Sequence, residues 1–343
     1  MKKIVLTALV ALFAVTGFAQ KPYKVVFYNF ENLFDTNRDM EIYDEEFTPE
    51  GPKKWNATKY EKKQSNLERV LFDIAAIDKN YPVVIGCSEI ENRGVMEDLI
   101  ARPKLKPAHY KIVHYDSPDA RGVDVAFFYR PDVFKLEGSA PIRYTLPDRP
   151  SFRTRDIVTM WGTIEGEPFY FMIGHWPSRR GGKESSAYLR IHAAELMRHA
   201  ADSVRKANPA VKVVMMGDFN DDVTDKSVVE VLGGEGNLKK VQPDGYFSPF
   251  YEVFKAGIGT LAYRDAWNLF DIIVVSENLA KGSTGALKIQ KAPKAKYYGN
   301  VFRAPYMMQK EGQYKGYPLR TFVGNNFQNG FSDHLPVYIY IGK

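Results

Sequence analysis

Two polar side chains at the end of an apolar run are the first residues that could do chemistry. In Val213–Asn220, VVMMGDFN, four apolar residues lead into Gly217, and Asp218 and Asn220 follow. The run reads as a buried strand. On an extended segment, Asp218 and Asn220 would share a face. Gly217 lets the backbone turn sharply or lie close to a ligand. A carboxylate can orient a nucleophile or hold a hard cation, and a neutral amide can donate to an oxyanion without charge repulsion. That combination suits phosphate ester chemistry. The same letters, DFNDD, are also good Asx-turn material, so taken alone the segment is equally a strand ending in a turn.

The arrangement recurs along the chain. From Tyr23, a run through Val25, Val26 and Phe27 leads to Asn29 and Asn32. After Pro82, VVIGCSEIEN ends on Glu89 and Glu91; Glu89 directly follows the buried run and is the candidate metal ligand of the two, though a lone glutamate is as commonly a charged strand end in water. Phe169–Gly174 leads to His175 and then to a Pro/Gly-bounded loop carrying Arg179 and Arg180. These arginines could clamp an anion or sit solvated. Arg121, in the turn DARG, could meet a phosphate or be a plain turn residue. A strand at Asp271–Ser276 begins on a carboxylate, and Ser332, Asp333 and His334 precede the last strand, Leu335–Ile341. One polar strand end is bland. Six along one chain are hard to explain without a common site.

The elements that must position them are legible from periodicity. Leu67, Val70, Leu71, Ile74 and Ile77 predict a helix over Thr58–Asp78. Leu189, Ala193, Leu196, Met197, Ala200 and Val204 predict another over Ser185–Lys206, with His192 and His199 on its outer side. A short helix is expected at Asn92–Ala101. Further strands are expected at Tyr110–Tyr115, Val123–Arg130, Ile142–Leu146 and Arg153–Ile164, the last closing a hairpin through EGEP. The acidic, patternless stretch from Asp35 to Trp55 reads as a surface loop or insertion. Later aromatics (Tyr246, Phe247, Tyr263, Tyr297, Tyr298, Tyr306 and Tyr314) either stack on a substrate or fill the core. With no repeat and no convincing linker, residues 20–343 read as one domain.

Bulk properties narrow the class. The 343 residues are 45% hydrophobic, enough for a sizeable core. The opening MKKIVLTALVALFAVTGFAQ has two lysines, about a dozen apolar residues and a small-residue end at Gly17-Phe18-Ala19. That predicts a signal peptide over residues 1–19 and an exported protein, periplasmic or secreted. The apolar part is short for a membrane span, and no later run is longer. Without Lys2 and Lys3, 45 basic residues face 41 acidic ones, a net charge of +4. Such mild basicity accommodates a polyanionic substrate without being a nucleic-acid footprint in itself. The single cysteine, Cys87, excludes an intramolecular disulfide and reads as a buried, inert thiol.

GDFN at 217–220 and SDH at 332–334, with EIEN around Glu89 and YNFENLF around Asn29, resemble the endonuclease/exonuclease/phosphatase superfamily in motif and in order. Its members include pancreatic-type deoxyribonucleases, apurinic endonucleases, inositol polyphosphate 5-phosphatases and bacterial sphingomyelinases. The resemblance covers nearly all of the mature chain. It implies a four-layer α/β/β/α sandwich of two mixed β-sheets flanked by helices, with the site at the mouth between the sheets. The implied chemistry is divalent-metal-dependent hydrolysis of a phosphoester by in-line attack of water. Glu89 would be the main ligand of Mg²⁺, or of Mn²⁺ in its place, supported by Asn29 and with Asp333 nearby. Asp218 would orient or deprotonate the water, while Asn220 and His175 donate to phosphoryl oxygens. His334 would contact the scissile phosphate, with Asp271 fixing its tautomer and raising its pKa. Arg121, Arg179 and Arg180 are the candidate substrate contacts.

There are departures from the family pattern. Ser88 stands where many members carry Gln, and HWPSRRGG differs from the deoxyribonuclease and apurinic-endonuclease versions. It resembles a form found in secreted bacterial members. The substrate remains open between nucleic acid and inositol phosphates, sugar phosphates or lipid headgroups; a catalytically silent binding protein is the reading from another class. No stable protein partner is implied.

Overall fold

In the computed structural model, which describes residues 22–292 and 294–343, the apolar runs become strands of two seven-stranded sheets. The segment read as a signal peptide, residues 1–19, lies outside the described residues. Strands β1 (Tyr23–Leu33), β2 (Val84–Ile90), β3 (Lys111–His114) and β4 (Asp124–Tyr129) belong to the first sheet. The second begins with β5 (Phe134–Ile142), β6 (Ile157–Ile164), β7 (Glu167–His175) and β8 (Lys212–Asp218). Short β9 (Gly234–Glu235) and β10 (Tyr246–Phe247) follow at its edge. A separate hairpin, β11 (Leu261–Tyr263) and β12 (Ala266–Asn268), precedes β13 (Asp271–Ser276), which returns to the second sheet. The chain then goes back to the first sheet with β14 (Lys288–Gln290) and β15 (Asn300–Val301). A small hairpin of β16 (Phe322–Val323) and β17 (Asn326–Phe327) leads to β18 (Val337–Gly342).

The first sheet runs β14-β18-β1-β2-β4-β3, with β15 also on β18, and the second β5-β6-β7-β8-β13-β10-β9. Both are mixed: β1/β2 and β7/β8 are parallel, while β1/β18 and β8/β13 are antiparallel. The inner faces meet in a core that includes Val25, Phe27, Phe127, Phe171, Met216, Ile273 and Ile339. The approach is close: a Cβ on Gly86 would lie 2.5 Å from Met216 Sδ. Outside the first sheet, α1 (Ala57–Ala76) and α2 (Arg93–Ala101) bury Leu67, Val70, Leu71, Ile74, Met96 and Leu99 against Tyr28, Ile85 and Phe128. Outside the second, α3 (Ala187–Ala207) buries Leu189, Ala193 and Met197. Four layers result. Each fully buried Leu or Ile contributes roughly 1.5–3 kcal/mol. Strands such as β8, covered on both faces, are therefore continuous apolar runs rather than alternating ones. Asn56 and Asn92 start α1 and α2, their side chains accepting from Lys59 N and Val95 N.

Three expectations change. The strand expected at Ile142–Leu146 lies earlier, over Phe134–Ile142, because pairing with β6 and a bulge between Leu136 and Gly138 set its register. As an edge strand it leaves many side chains half-exposed, so the apolar signal was weak. The expected strand from Arg153 starts only at Ile157; Thr154, Arg155 and Asp156 are buried instead as polar anchors. The third change is one of anchoring: the stretch Asp35–Trp55 is a largely exposed loop as expected, but its end is pinned, since Trp55 is fully buried, donates to Phe34 O at 3.1 Å, and meets Phe47, Phe322 and Phe327. His192 is half-buried, with Nε2 2.8 Å from Thr145 O, whereas His199 is exposed. Cys87 is fully buried. No helix among the described residues is long and apolar enough to cross a membrane.

Candidate active site

Register builds one half of the site. β7, β8 and β13 are neighbours, and His175 and Asp271 both pair with Asp218. Residues directly opposite on adjacent strands project to the same face, so the three side chains form a row at one end of the second sheet. The row needs a close strand approach: a Cβ on Gly217 would fall 1.9 Å from Gly174 O.

The first sheet supplies the other half where β1 and β2 lose regular register, between Asn29 and Leu33. Glu31, Asn32 and Glu89 there are left-handed, at φ 50°, 52° and 57°. Such conformations cost about 1 kcal/mol or more per residue, and persist where the surroundings over-determine them. Here Asn32 N donates to Glu89 Oε2 at 3.0 Å and Glu31 N donates to Asn29 Oδ1 at 2.8 Å.

Three other segments converge on one oxygen. Asp218 Oδ2 accepts from Asn29 Nδ2 at 3.0 Å, with His175 Nε2 at 3.6 Å and His334 Nε2 at 3.8 Å. Its Oδ1 accepts from Asn220 N at 3.0 Å. Behind His334, Nδ1 lies 2.7 Å from Asp271 Oδ2. Within the first sheet, Ser332 Oγ ties the segment before β18 to β1 by donating to Asn29 O at 2.7 Å and accepting from His334 N at 3.0 Å. Glu89 Oε1 is 3.9 Å from His175 Nε2 and 3.6 Å from Arg121 Nη2, with no hydrogen bond among the described residues.

Electrostatics divides the labour. Burial, with the Asp271 charge, pushes the Asp218 carboxyl up to about 6, against the opposing pull of His334. Burial and the cations Arg155, Arg121 and His334 hold His175 well below the usual imidazole range, so it is neutral. Its Nδ1 is buried without a partner among the described residues. The proton therefore belongs on Nε2, facing Glu89 and Asp218. His334 goes the other way: burial opposes its charge, but Asp271 and Asp218 raise it well above the usual range.

The expected residues do not all act alike. The strand ends at Asp218, and Asn220 has φ 50°, so the two do not share an extended face. The Asx turn forms: Asn220 N donates to Asp218 Oδ1, while Asn220 Nδ2, expected to face a phosphoryl oxygen, donates to Trp176 O at 2.9 Å. Arg121 is half-exposed beside Glu89. Arg179 Nε donates to Asn220 O at 2.8 Å, and Nη2 reaches Asp221, Asp222 and Asp225. Its guanidinium also lies 4.4 Å from the Phe270 ring centre, so it fastens the Asn220 loop. Arg180 is exposed, with no ion pair among the described residues. Asp333 bonds Arg320 through Oδ2, and His334 and Arg320 hold its carboxyl below the usual range despite burial.

Sequence reasoning passed over two arginines. Arg155 donates to His175 O, Trp176 O and Asp119, fixing the His175 corner. Arg320 joins Asp333 to Glu31, which also accepts from Thr321 N and Oγ1 and lies 3.8 Å from buried Lys63 Nζ. Neither arginine stands in a local pattern that marks it out.

The donor set fits a hard cation at Glu89. Its Oε1 has no hydrogen bond, Asn29 Oδ1 has one lone pair left after Glu31 N, and Asp333 Oδ1 is not part of the Arg320 bond. The carboxylates and imidazole whose ligand atoms lie within 4.8 Å of one another are instead those of Asp218, Asp271 and His334. There His334 Nδ1 is committed to Asp271 and its ring favours the charged form, which works against a second cation.

Beside this cluster a cleft of about 690 Å³ is lined by Asn220, Asp333, Arg180, Arg264, Arg320 and tyrosines 263, 314 and 317, among others. The aromatic expectation thus divides. Tyr246 and Phe247 are core, Tyr297, Tyr298 and Tyr306 are half-buried, and Tyr263 and Tyr314 are exposed at the cleft.

Residues 24–343 match the sequence profile described as Endonuclease/Exonuclease/phosphatase family. No curated protein sequence matches the chain. Among solved structures, D. rerio TDP2 complexed with single strand DNA product is similar, with a TM-score of 0.56 and 14% identity over 94% of this chain and 100% of that one. The human Nocturnin catalytic domain with bound sulfate has a TM-score of 0.54 and 15% identity over 93% and 94%. An endonuclease/exonuclease/phosphatase family protein from Bacteroides thetaiotaomicron has 0.53 and 16% over 94% and 95%. At these identities the likeness is one of fold.

Proposed function

The chain belongs to the endonuclease/exonuclease/phosphatase family, a family of phosphoric ester hydrolases, and from that premise we propose that it is an exported, divalent-metal-dependent phosphodiesterase cleaving nucleic acid. One observation carries the reading: Asn29, His175 and His334 all face a single oxygen, Asp218 Oδ2. A carboxylate held near pKa 6 is ionised at neutral pH and still basic enough to take a proton from an attacking water. Asn29 fixes the direction in which that carboxylate points. As water attacks, charge gathers on the non-bridging oxygens of the phosphodiester. The His334 imidazolium and the Nε2–H of neutral His175 are the donors that meet it. Glu89, with Asn29 Oδ1 and Asp333 Oδ1, would hold Mg²⁺ or Mn²⁺, which when bound neutralises phosphoryl charge. Arg180 and Arg264 beside exposed tyrosines favour a polymeric polyanion over a small monoester. Export rests on the composition of residues 1–19.

The test is hydrolysis by the mature protein, with Mg²⁺ and with chelator. Substrates are single-stranded DNA, duplex DNA, RNA, bis-(p-nitrophenyl) phosphate, p-nitrophenyl phosphate, inositol polyphosphates and sphingomyelin. Cleavage of polymer and diester is expected, lost with chelator and in Asp218→Ala. Phosphate released only from monoesters or inositol polyphosphates would replace the nuclease reading with a phosphatase.

A further inference from the structure

The hairpin β11–β12 has no place in either large sheet, yet it is fastened to the chemistry at its base. Thr260 O accepts from Leu335 N at 2.8 Å, next to His334, and Thr260 Oγ1 lies 3.4 Å from Asp271 N. The tip is a tight turn with Arg264 and Asp265 at φ 49° and 62°, as a two-residue hairpin loop requires. That tip is strapped across the cleft: Tyr317 Oη donates to Asp265 Oδ1 at 2.7 Å and accepts from Asp265 N at 2.6 Å. The arm is thus held at both ends.

On this held arm, Tyr263 is 62% exposed, with the Arg264 guanidinium 5.2 Å from its ring centre. Tyr314, 39% exposed, lies on the strapping loop against Tyr317. Both line the cleft that contains Asn220 and Asp333, together with Arg180, Arg264 and Arg320. A single exposed tyrosine needs no explanation. Two aromatic rings, one on a held arm and one on the loop that straps it, among guanidinium groups and beside the candidate site residues, are a platform for bases and their phosphates. A duplex offers no free base face to such rings, because its bases are already stacked.

We propose that the β11–β12 arm and the loop carrying Tyr314 form a stacking clamp for unpaired bases next to the scissile phosphate, selecting single-stranded over duplex nucleic acid. This rests on the nuclease reading above. Tyr317 and Asp265 are positioning residues in it, holding the two rings at a fixed separation.

The experiment measures kcat and KM on a single-stranded oligonucleotide, a duplex of the same sequence and bis-(p-nitrophenyl) phosphate. It compares the mature protein with Tyr263→Ala, Tyr314→Ala and Tyr263→Phe, each checked for an unchanged thermal midpoint. The single strand should be preferred. Each alanine variant should raise its KM about tenfold or more relative to bis-(p-nitrophenyl) phosphate, with a smaller change for duplex, and Tyr263→Phe should keep the preference. Polymer cleavage with equal losses on single strand and duplex, or with none, would overturn the clamp and leave the nuclease standing. Hydrolysis of small esters without polymer cleavage would overturn both.

Discussion

The side-chain amide of Asn29 donates to Asp218 Oδ2 at 3.0 Å, joining two sheets through residues 189 positions apart. Its other end accepts from Glu31 N at 2.8 Å, so the amide cannot flip without losing both bonds. The carboxylate is thereby aimed before any substrate arrives, which is the pre-organisation that electrostatic catalysis depends on.

Asn29→Ala should lower kcat on bis-(p-nitrophenyl) phosphate by roughly 10²–10³-fold. It should also cost about 1–3 kcal/mol of stability, because a buried carboxylate loses its donor. Steady-state kinetics and denaturant melts check both. Wild-type kcat would remove Asn29 from the site.

Asp271 holds His334 in its charged form across 2.7 Å. In Asp271→Asn the His334 pKa falls, so the imidazolium is lost at lower pH. The descending limb of the kcat/KM profile should move toward acid, with kcat down roughly 10²-fold or more. The ascending limb, set by Asp218 ionising near 6, should also move toward acid but by less, since burial is the larger cause of that raised value and the Asp271 charge the smaller. A pH–rate profile of the two proteins decides it.

Burial, with Asp35, Asp44 and Asp39 nearby, pushes the Glu91 carboxyl up from 4.5 to about 8. The folded state then binds more protons than the unfolded chain between those values, so stability falls as pH rises through that window. Glu91→Gln should raise the thermal midpoint by a few degrees at pH 9 and have little effect at pH 4. Melts in chelator at both pH values test this; an equal shift at both would contradict it.

Arg179 and Arg180 are neighbours with different work. Arg179→Ala leaves Asp221, Asp222 and Asp225 without their shared cation. It should cost about 1–3 kcal/mol of stability and reduce kcat as the Asn220 loop loosens. Arg180→Ala should keep the thermal midpoint, raise KM for polymer several-fold and weaken its salt dependence. Melting curves and KM at two salt concentrations separate them.

Much of the site was legible because strands advertise their ends. A buried strand must be apolar along its length, so a carboxylate, amide or imidazole at its end stands out: Asn29, Glu89, His175, Asp218 and Asp271 all do. The helices over residues 57–76 and 187–207 were legible for the same local reason, an apolar stripe at helical spacing. The edge strand Phe134–Ile142 was misplaced because half-exposed residues carry no such stripe. Trp55 looked like loop material because its aromatic partners, Phe322 and Phe327, lie far along the chain.

What the sequence by itself determined is therefore the set of candidate site residues, their order and the family. Periodicity and strand termini are short-range properties, written within ten or twenty residues. Only the tertiary structure decided the partners: Arg179 with three aspartates, Arg320 with Asp333, Arg155 behind His175, and the Tyr263 arm strapped by Tyr317. Such pairings depend on where distant segments meet and how deeply each charge is buried, and no local pattern encodes either.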